Sequence, residues 1–190
     1  MKTYNNLYPL IYTPTNLFSA YVQCRRGKGD KPYVIEFEAH LHEHLDSLAE
    51  ELRSQEWTPK GYTCFYVNDP KRRLINAPAF EDRIVHRALY DVIYGLFRRG
   101  FVEGSFACQR GKGTHAGVAR LQQFIHNYRD PPYYLQVDIR SYFASIDHEI
   151  LMNIIRRKIA DRDVLSLIQK ILGSYCDRPG VGIPLGNLTS

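Results

Sequence analysis

Cysteine is scarce and scattered. The four cysteines, Cys24, Cys64, Cys108 and Cys176, lie far apart, and no pair has the spacing of a zinc site or a redox motif. Free thiols in a reducing, cytoplasmic setting are therefore expected. The amino terminus, Met-Lys-Thr-Tyr-Asn-Asn, has no apolar core of the kind a signal peptide carries, and no apolar run approaches bilayer length, so no membrane association is expected. Internal repeats and low-complexity segments are absent. The glycine-rich stretch at 111–113 does not have the spacing of an ATP-binding loop, and no strand directly precedes it.

What remains is an ordinary globular composition, long enough at 190 residues to bury a core. Tyrosine is abundant, with 14 residues, and Lys plus Arg outnumber Asp plus Glu by 25 to 20. A modest basic excess favours a polyanionic partner without establishing one.

The stretch Tyr133 to Leu151 organises the chain. After Pro131 and Pro132, residues Tyr133, Tyr134, Leu135, Val137 and Ile139 form a β-prone apolar run, which predicts a strand buried on both faces. Asp138 sits inside it. A buried carboxylate costs several kcal/mol unless it is paired, hydrogen-bonded or bound to a cation. Asp138 thus either closes a turn at the strand end or ligates a metal there, with Phe143 lining the adjoining pocket. A helix starts near Ser145 or Asp147, either of which can cap it.

The remaining elements follow from spacing. Residues 1–35 carry Tyr, Asn and Pro, then the basic stretch Arg25 to Lys31, which reads as a solvated loop or as an arm touching phosphates. Phe37, Leu41, Leu45, Leu48 and Leu52 predict one amphipathic helix over 36–55. His40 and His44 share a face of it at a spacing that can hold a metal, but no supporting ligand is evident, and they read as surface histidines. Residues 60–78 predict a hairpin, with Tyr62–Val67 and Arg72–Ala77 flanking an Asn-Asp-Pro turn. The triplet Lys71, Arg72, Arg73 is either a solvated edge or a phosphate clamp. Residues 79–99 predict a long helix with acidic residues first and arginines last. Arg110 and Lys112 precede a helix from about Thr114 to Tyr128, where loop amides and the helix start can face an anion. Two further helices follow, one through Ile150 to Ile159 and one capped by Asp161 or Asp163. The sequence then runs through a Gly/Pro-rich segment to Ser190.

Four blocks, in order, resemble one family. They are Arg72-Arg73-Leu-Ile-Asn-Ala-Pro with Asp82 to Leu89; Ser105 to His115; Leu135 to Phe143 with Ile146-Asp-His148; and Gly182-Ile-Pro-Leu-Gly-Asn-Leu-Thr-Ser190. Together they resemble the fingers and first half of the palm of a bacterial reverse transcriptase, of the group II intron, retron or diversity-generating retroelement type. The resemblance covers roughly residues 60–190. It implies an α+β fold, with a small antiparallel sheet packed on helices in a right-hand polymerase. The implied organisation is an amino-terminal extension over 1–59, fingers over 60–130 and a partial palm over 131–190.

The implied activity is RNA-directed DNA polymerisation by two magnesium ions. By resemblance Asp138 and the Ile139 carbonyl hold metal, Phe143 lies under the sugar, Lys71 and Arg72 neutralise the triphosphate, and Leu185 and Gly186 pack on the incoming nucleotide. Arg110, Lys112 and His115 are candidates for template or primer backbone contacts. The implied partners are an RNA template, a DNA or RNA primer, a deoxynucleoside triphosphate, and an accessory protein or structured RNA. Leu185 stands where group II intron enzymes usually have Gln, which resembles the diversity-generating type. The family's further carboxylates lie on a downstream Tyr-x-Asp-Asp hairpin that does not occur in these 190 residues, and Asp147 belongs to a helix start. The expectation is a fragment that cannot polymerise alone. The alternatives are a non-catalytic RNA-binding remnant and an interaction module in which Asp138 only closes a turn.

Overall fold

The computed structural model describes residues 3–68, 72–109, 111–128, 133–175 and 179–184. Within them are helices α1 (Tyr8–Ile11), α2 (Pro14–Arg25), α3 (Pro32–Ala39), α4 (Leu41–Arg53), α5 (Phe80–Arg98), α6 (Thr114–Asn127), α7 (His148–Arg156) and α8 (Arg162–Gly173). One antiparallel pair, β1 (Tyr62–Val67) and β2 (Arg73–Pro78), completes an α+β chain. Two compact units result: Met1–Leu96 with Ser141–Ser190, and Phe97–Arg140.

In the first unit, α2 starts where its sequence says it can. Thr13 is extended, its Oγ1 accepts the Asn16 N–H, and Pro14 fills the first helical position, where a missing N–H costs nothing. The reading of residues 1–35 assigned no helix here. The apolar residues of α2 form no single stripe, because Leu17, Ala20 and Tyr21 are buried while Phe18 and Val22 stay about half exposed. The Asn16 amide donates to the carbonyls of Ile11 and Ala88, at 2.9 and 3.0 Å, and ties α2 to α5. Tyr21, Phe37 and Phe80 meet in an aromatic cluster, with the Phe37 and Phe80 rings edge-on at 5.2 Å.

The single helix expected over 36–55 is instead two. His40 leaves the helical region (φ −130°, ψ 42°) between α3 and α4. The apolar spacing runs unbroken through Phe37, Leu41, Leu45, Leu48 and Leu52, so it carries no sign of the break. His40 Nδ1 lies 3.2 Å from Glu43 in the first turn of α4, and His44 stacks on Phe37 at 4.8 Å.

The two strands pair as expected, the second shifted by one residue to Arg73–Pro78, in the register Tyr62–Pro78 to Val67–Arg73; Asp69 and Pro70 of the expected turn lie outside the described residues. Its base is held at three points. The buried Asp82 accepts the Lys60 N–H at 2.8 Å, the Tyr62 and Ser174 hydroxyls meet at 2.9 Å, and the Asn76 amide donates to the Tyr175 hydroxyl at 3.0 Å. α5 matches its predicted span and buries Ile84, Val85, Ala88 and Leu89.

Asp161 does more than cap α8. Its Oδ1 accepts the Asp163 and Val164 N–H groups, and its Oδ2 accepts those of Leu7 and Tyr8, more than 150 residues away in sequence. Burial is the largest single influence and pushes this carboxyl up. The donations from Tyr8, Val164, Leu7 and Asp163 outweigh it and hold the carboxyl below its ordinary range. Beside it, Tyr4 and Ile159 form a parallel bridge, with the Tyr4 N–H on Lys158 O and the Ala160 N–H on Tyr4 O, each 2.8 Å. The helix expected to run on to Ile159 therefore ends at Arg156, because the following residues pair with the amino-terminal segment.

In the second unit, α6 spans the residues predicted for it, but none of its side chains is buried. The loop before it is fastened by Lys112, whose Nζ donates to the carbonyls of Glu103 and Ser105, and by the Gln109 amide on Ser105. Phe106 lies close to Gly117, where any Cβ would sit 3.5 Å from the ring.

The strand expected over 133–139 is not there. Residues 133–139 have no regular structure, and Leu135 and Val137 keep 87% and 82% of their surface exposed. A strand exists only where neighbours take up its N–H and C=O groups. Among the described residues the sheet contains β1 and β2 alone. Asp138 is correspondingly exposed, not buried.

Candidate nucleotide and nucleic-acid site

Two of the sequence blocks are brought together by backbone pairing. Ser141 adopts positive φ (52°), a 3-10 turn follows over Phe143–Ser145, and Asp147 caps α7 by accepting the Ile150 N–H at 2.9 Å. The segment 180–183 then lies antiparallel to 143–148. The His148 N–H donates to Gly180 O (2.9 Å), the Gly182 N–H to Ile146 O (2.8 Å) and the Ile183 N–H to Phe143 O (2.9 Å), with Asp147 and Val181 in a bridge between them. One side chain joins this ladder: His148 Nε2 lies 2.7 Å from Gly182 O. A carbonyl only accepts, so this imidazole donates from Nε2. Gly180 and Gly182 both take positive φ, 76° and 99°, which favours glycine at these turns. A Cβ on Gly182 would also come to 3.5 Å from Ala144 O.

Phe143 is half-buried, and its ring meets Tyr142 edge-on at 5.2 Å. Phe143 and the segment Gly182–Pro184 are thus adjacent. Leu185 and Gly186 themselves lie outside the described residues, as do Lys71 and Arg110.

Arg72 is exposed at the start of β2, with its guanidinium 4.0 Å above the Tyr66 ring. The ring face attracts the guanidinium, and the exposed N–H groups of Arg72 remain available for an anion. Asp138 and Ile139 lie in the exposed stretch, Ile139 at 66%. Lys112 is largely committed to Glu103 O and Ser105 O, with its ammonium 5.3 Å from the Phe106 ring, so it acts first as a loop fastener. His115 is exposed in the first turn of α6.

A magnesium ion asks for hard oxygen ligands. The Asp138 carboxylate and the Ile139 carbonyl are oxygens of that kind, and solvent reaches both residues. They make only part of a coordination shell. Among the described residues no three His, Cys, Asp or Glu side chains converge as metal ligands.

Sequence reasoning named His148 as part of a block but gave it no role. Its signal was positional: a helix-start residue that follows the strand-and-turn block directly. The long reach of Asp161 had no sequence signal beyond its cap position.

No family model matches the sequence. Among curated proteins the chain is 27% identical over 163 residues to protein YkfC of Escherichia coli K12, covering 80% of this chain and 43% of that one. It is 22% identical over 177 residues to the group II intron-encoded protein LtrA of Lactococcus lactis, covering 90% of this chain and 29% of LtrA. The chain is a relative of the group II intron-encoded proteins. Nuclear intron maturase 1 of Arabidopsis thaliana mitochondria also matches, at 26% over 103 residues, covering 53% of this chain and 14% of that one. This relative of the group II intron-encoded proteins thus spans less than half the length of YkfC and under a third of LtrA. No helix among its described residues is long and apolar enough to cross a membrane.

Proposed function

We propose that this chain carries the amino-terminal extension (1–59), fingers (60–130) and partial palm (131–190) of an RNA-directed DNA polymerase of a bacterial retroelement. One observation carries the reading: the Ile183 N–H donates to Phe143 O, so the block bearing the candidate sugar-contacting ring and the block leading to Leu185 and Gly186 share one backbone ladder.

In this reading the half-buried Phe143 ring forms the floor under the ribose and leaves no room for a 2′-hydroxyl. Arg72, whose guanidinium lies over the Tyr66 ring, meets the triphosphate with its N–H groups, and Lys71 adds charge. Leu185 and Gly186 pack on the incoming nucleotide by shape. Asp138 and the Ile139 carbonyl would hold magnesium, which when bound supplies an activated primer hydroxyl and a stabilised leaving pyrophosphate. Arg110, Lys112 and His115 face the template or primer backbone, with Lys112 contributing mainly through the loop it fastens. The partners are an RNA template that includes intron-type RNA, a DNA or RNA primer and deoxynucleoside triphosphates, with an accessory protein or structured RNA. In this reading Asp138 and the Ile139 carbonyl need further oxygen ligands to complete the metal shell.

Sugar selection tests it. In the complete gene product, Phe143→Ala should raise incorporation of ribonucleotides relative to deoxynucleotides by tenfold or more, an effect on the order of 1.4 kcal/mol. An unchanged ratio in an active Phe143→Ala enzyme contradicts the placement of the nucleotide.

A further inference from the structure

Among the described residues, the ladder between 143–148 and 180–183 contains one side-chain rung, which substitution can remove without altering the backbone. His148 occupies the first position of α7, where its own N–H is already used on Gly180 O. Its ring reaches across the junction to Gly182 O at 2.7 Å. That carbonyl belongs to a residue at φ +99°, held against Ala144, immediately before the Ile183 N–H that binds Phe143 O. The imidazole therefore grips the 182–183 peptide unit from the oxygen side, while Phe143 O grips it from the nitrogen side.

A peptide plane held at both ends cannot rotate without breaking one hydrogen bond. Without the imidazole that peptide unit keeps only the Ile183 N–H to Phe143 O bond, and the Gly182 carbonyl loses its partner while the Gly182 N–H stays on Ile146 O. The rung is also the one that the rest of the ladder does not duplicate. The Gly182 N–H has Ile146 O, the Ile183 N–H has Phe143 O, and Gly182 O has the imidazole.

We infer that His148 is a positioning residue of the nucleotide pocket: its Nε2–H fixes the Gly182 carbonyl and thereby sets where Phe143 stands relative to the Gly182–Pro184 segment. It acts through Gly182 and Phe143 and does not itself touch the nucleotide. This inference rests on the polymerase reading above and adds to it a determinant of deoxynucleotide affinity and sugar choice. Glutamine is the informative replacement, because its side-chain amide can place an N–H donor near the position of Nε2, whereas alanine leaves Gly182 O without its partner.

The test is steady-state primer extension on an RNA template by the complete gene product, comparing the native protein with His148→Ala, His148→Gln and Asp138→Ala. Melting temperature and circular dichroism of each variant are measured in parallel. His148→Ala should raise the deoxynucleotide KM about three- to tenfold, as expected for one lost hydrogen bond to a held carbonyl. It should leave kcat within about twofold and narrow the preference for deoxynucleotides over ribonucleotides, and His148→Gln should recover most of both. Three results overturn the inference. One is unchanged KM and sugar preference in His148→Ala while Asp138→Ala is inactive, which removes the role of His148 and leaves the polymerase reading intact. Another is a loss in His148→Ala that tracks the unfolded fraction and that His148→Gln does not relieve, which makes the residue structural only. The last is the absence of any Asp138-dependent extension by the native protein, which removes the polymerase reading and this inference with it.

Discussion

Asp161 carries four backbone N–H groups on two oxygens and so holds the amino-terminal segment against the start of α8. Replacing it with alanine removes a helix cap and strands two further donors at the Leu7–Tyr8 turn. The expected loss is about 2–3 kcal/mol, read as a drop in the denaturation midpoint. Its folded carboxyl sits below the ordinary range, so its stabilisation is complete above the unfolded pKa, near 4, and fades as pH falls through the folded value. Asp82 behaves in the opposite sense. Burial pushes its carboxyl up to about 6, and its Oδ1 has no hydrogen-bond partner among the described residues. The folded state then holds a proton that the unfolded chain releases near pH 4, and stability falls as pH rises from about 4 through 6. Asp82→Asn keeps an acceptor for the Lys60 N–H and removes the charge. It should raise stability at pH 7.5 by about 2 kcal/mol and show no gain at pH 4, which urea denaturation at the two pH values will measure. Neither residue's environment was visible in sequence: Asp161 read as a cap, and its second set of partners lies at the far end of the chain.

Helices α4, α5, α7 and α8 were legible because apolar spacing reports which face is buried, and because Asp147, Asp161 and the acidic first turn of α5 mark three of their starts; α6 was legible from the glycine-rich loop before it and buries no side chain. The hairpin was legible from β-prone runs on either side of a turn. Three features were not. The break at His40 interrupts the backbone without interrupting the apolar pattern. Helix α7 stops short of Ile159 because that residue pairs with Tyr4. The apolar run at 133–139 has the composition of a buried strand, yet strand formation depends on neighbours that composition does not supply. Within the candidate site, the residues at 143–148 and 180–183 were readable one by one, but their antiparallel pairing was not, since it joins segments more than 30 residues apart. Gly182→Ala probes that pairing. At φ +99° a side chain costs about 1–2 kcal/mol, and the variant should lower the melting temperature by several degrees in thermal denaturation.

For the molecule as a whole, a basic excess of five charges favours a polyanion, and the proposed function makes that polyanion RNA. RNA affinity should fall steeply with salt, and Arg72→Ala should reduce the slope of log K against log[salt] by about one, as measured by fluorescence anisotropy on a labelled RNA. A flat salt response would remove the electrostatic part of the account. The central claim is that the exposed Asp138 carboxylate serves the proposed metal-dependent nucleotidyl transfer, and primer extension on an RNA template by the complete gene product, native against Asp138→Ala, tests it most directly. The account predicts magnesium-dependent extension by the native protein and none by the variant; extension that survives the loss of Asp138 would contradict it.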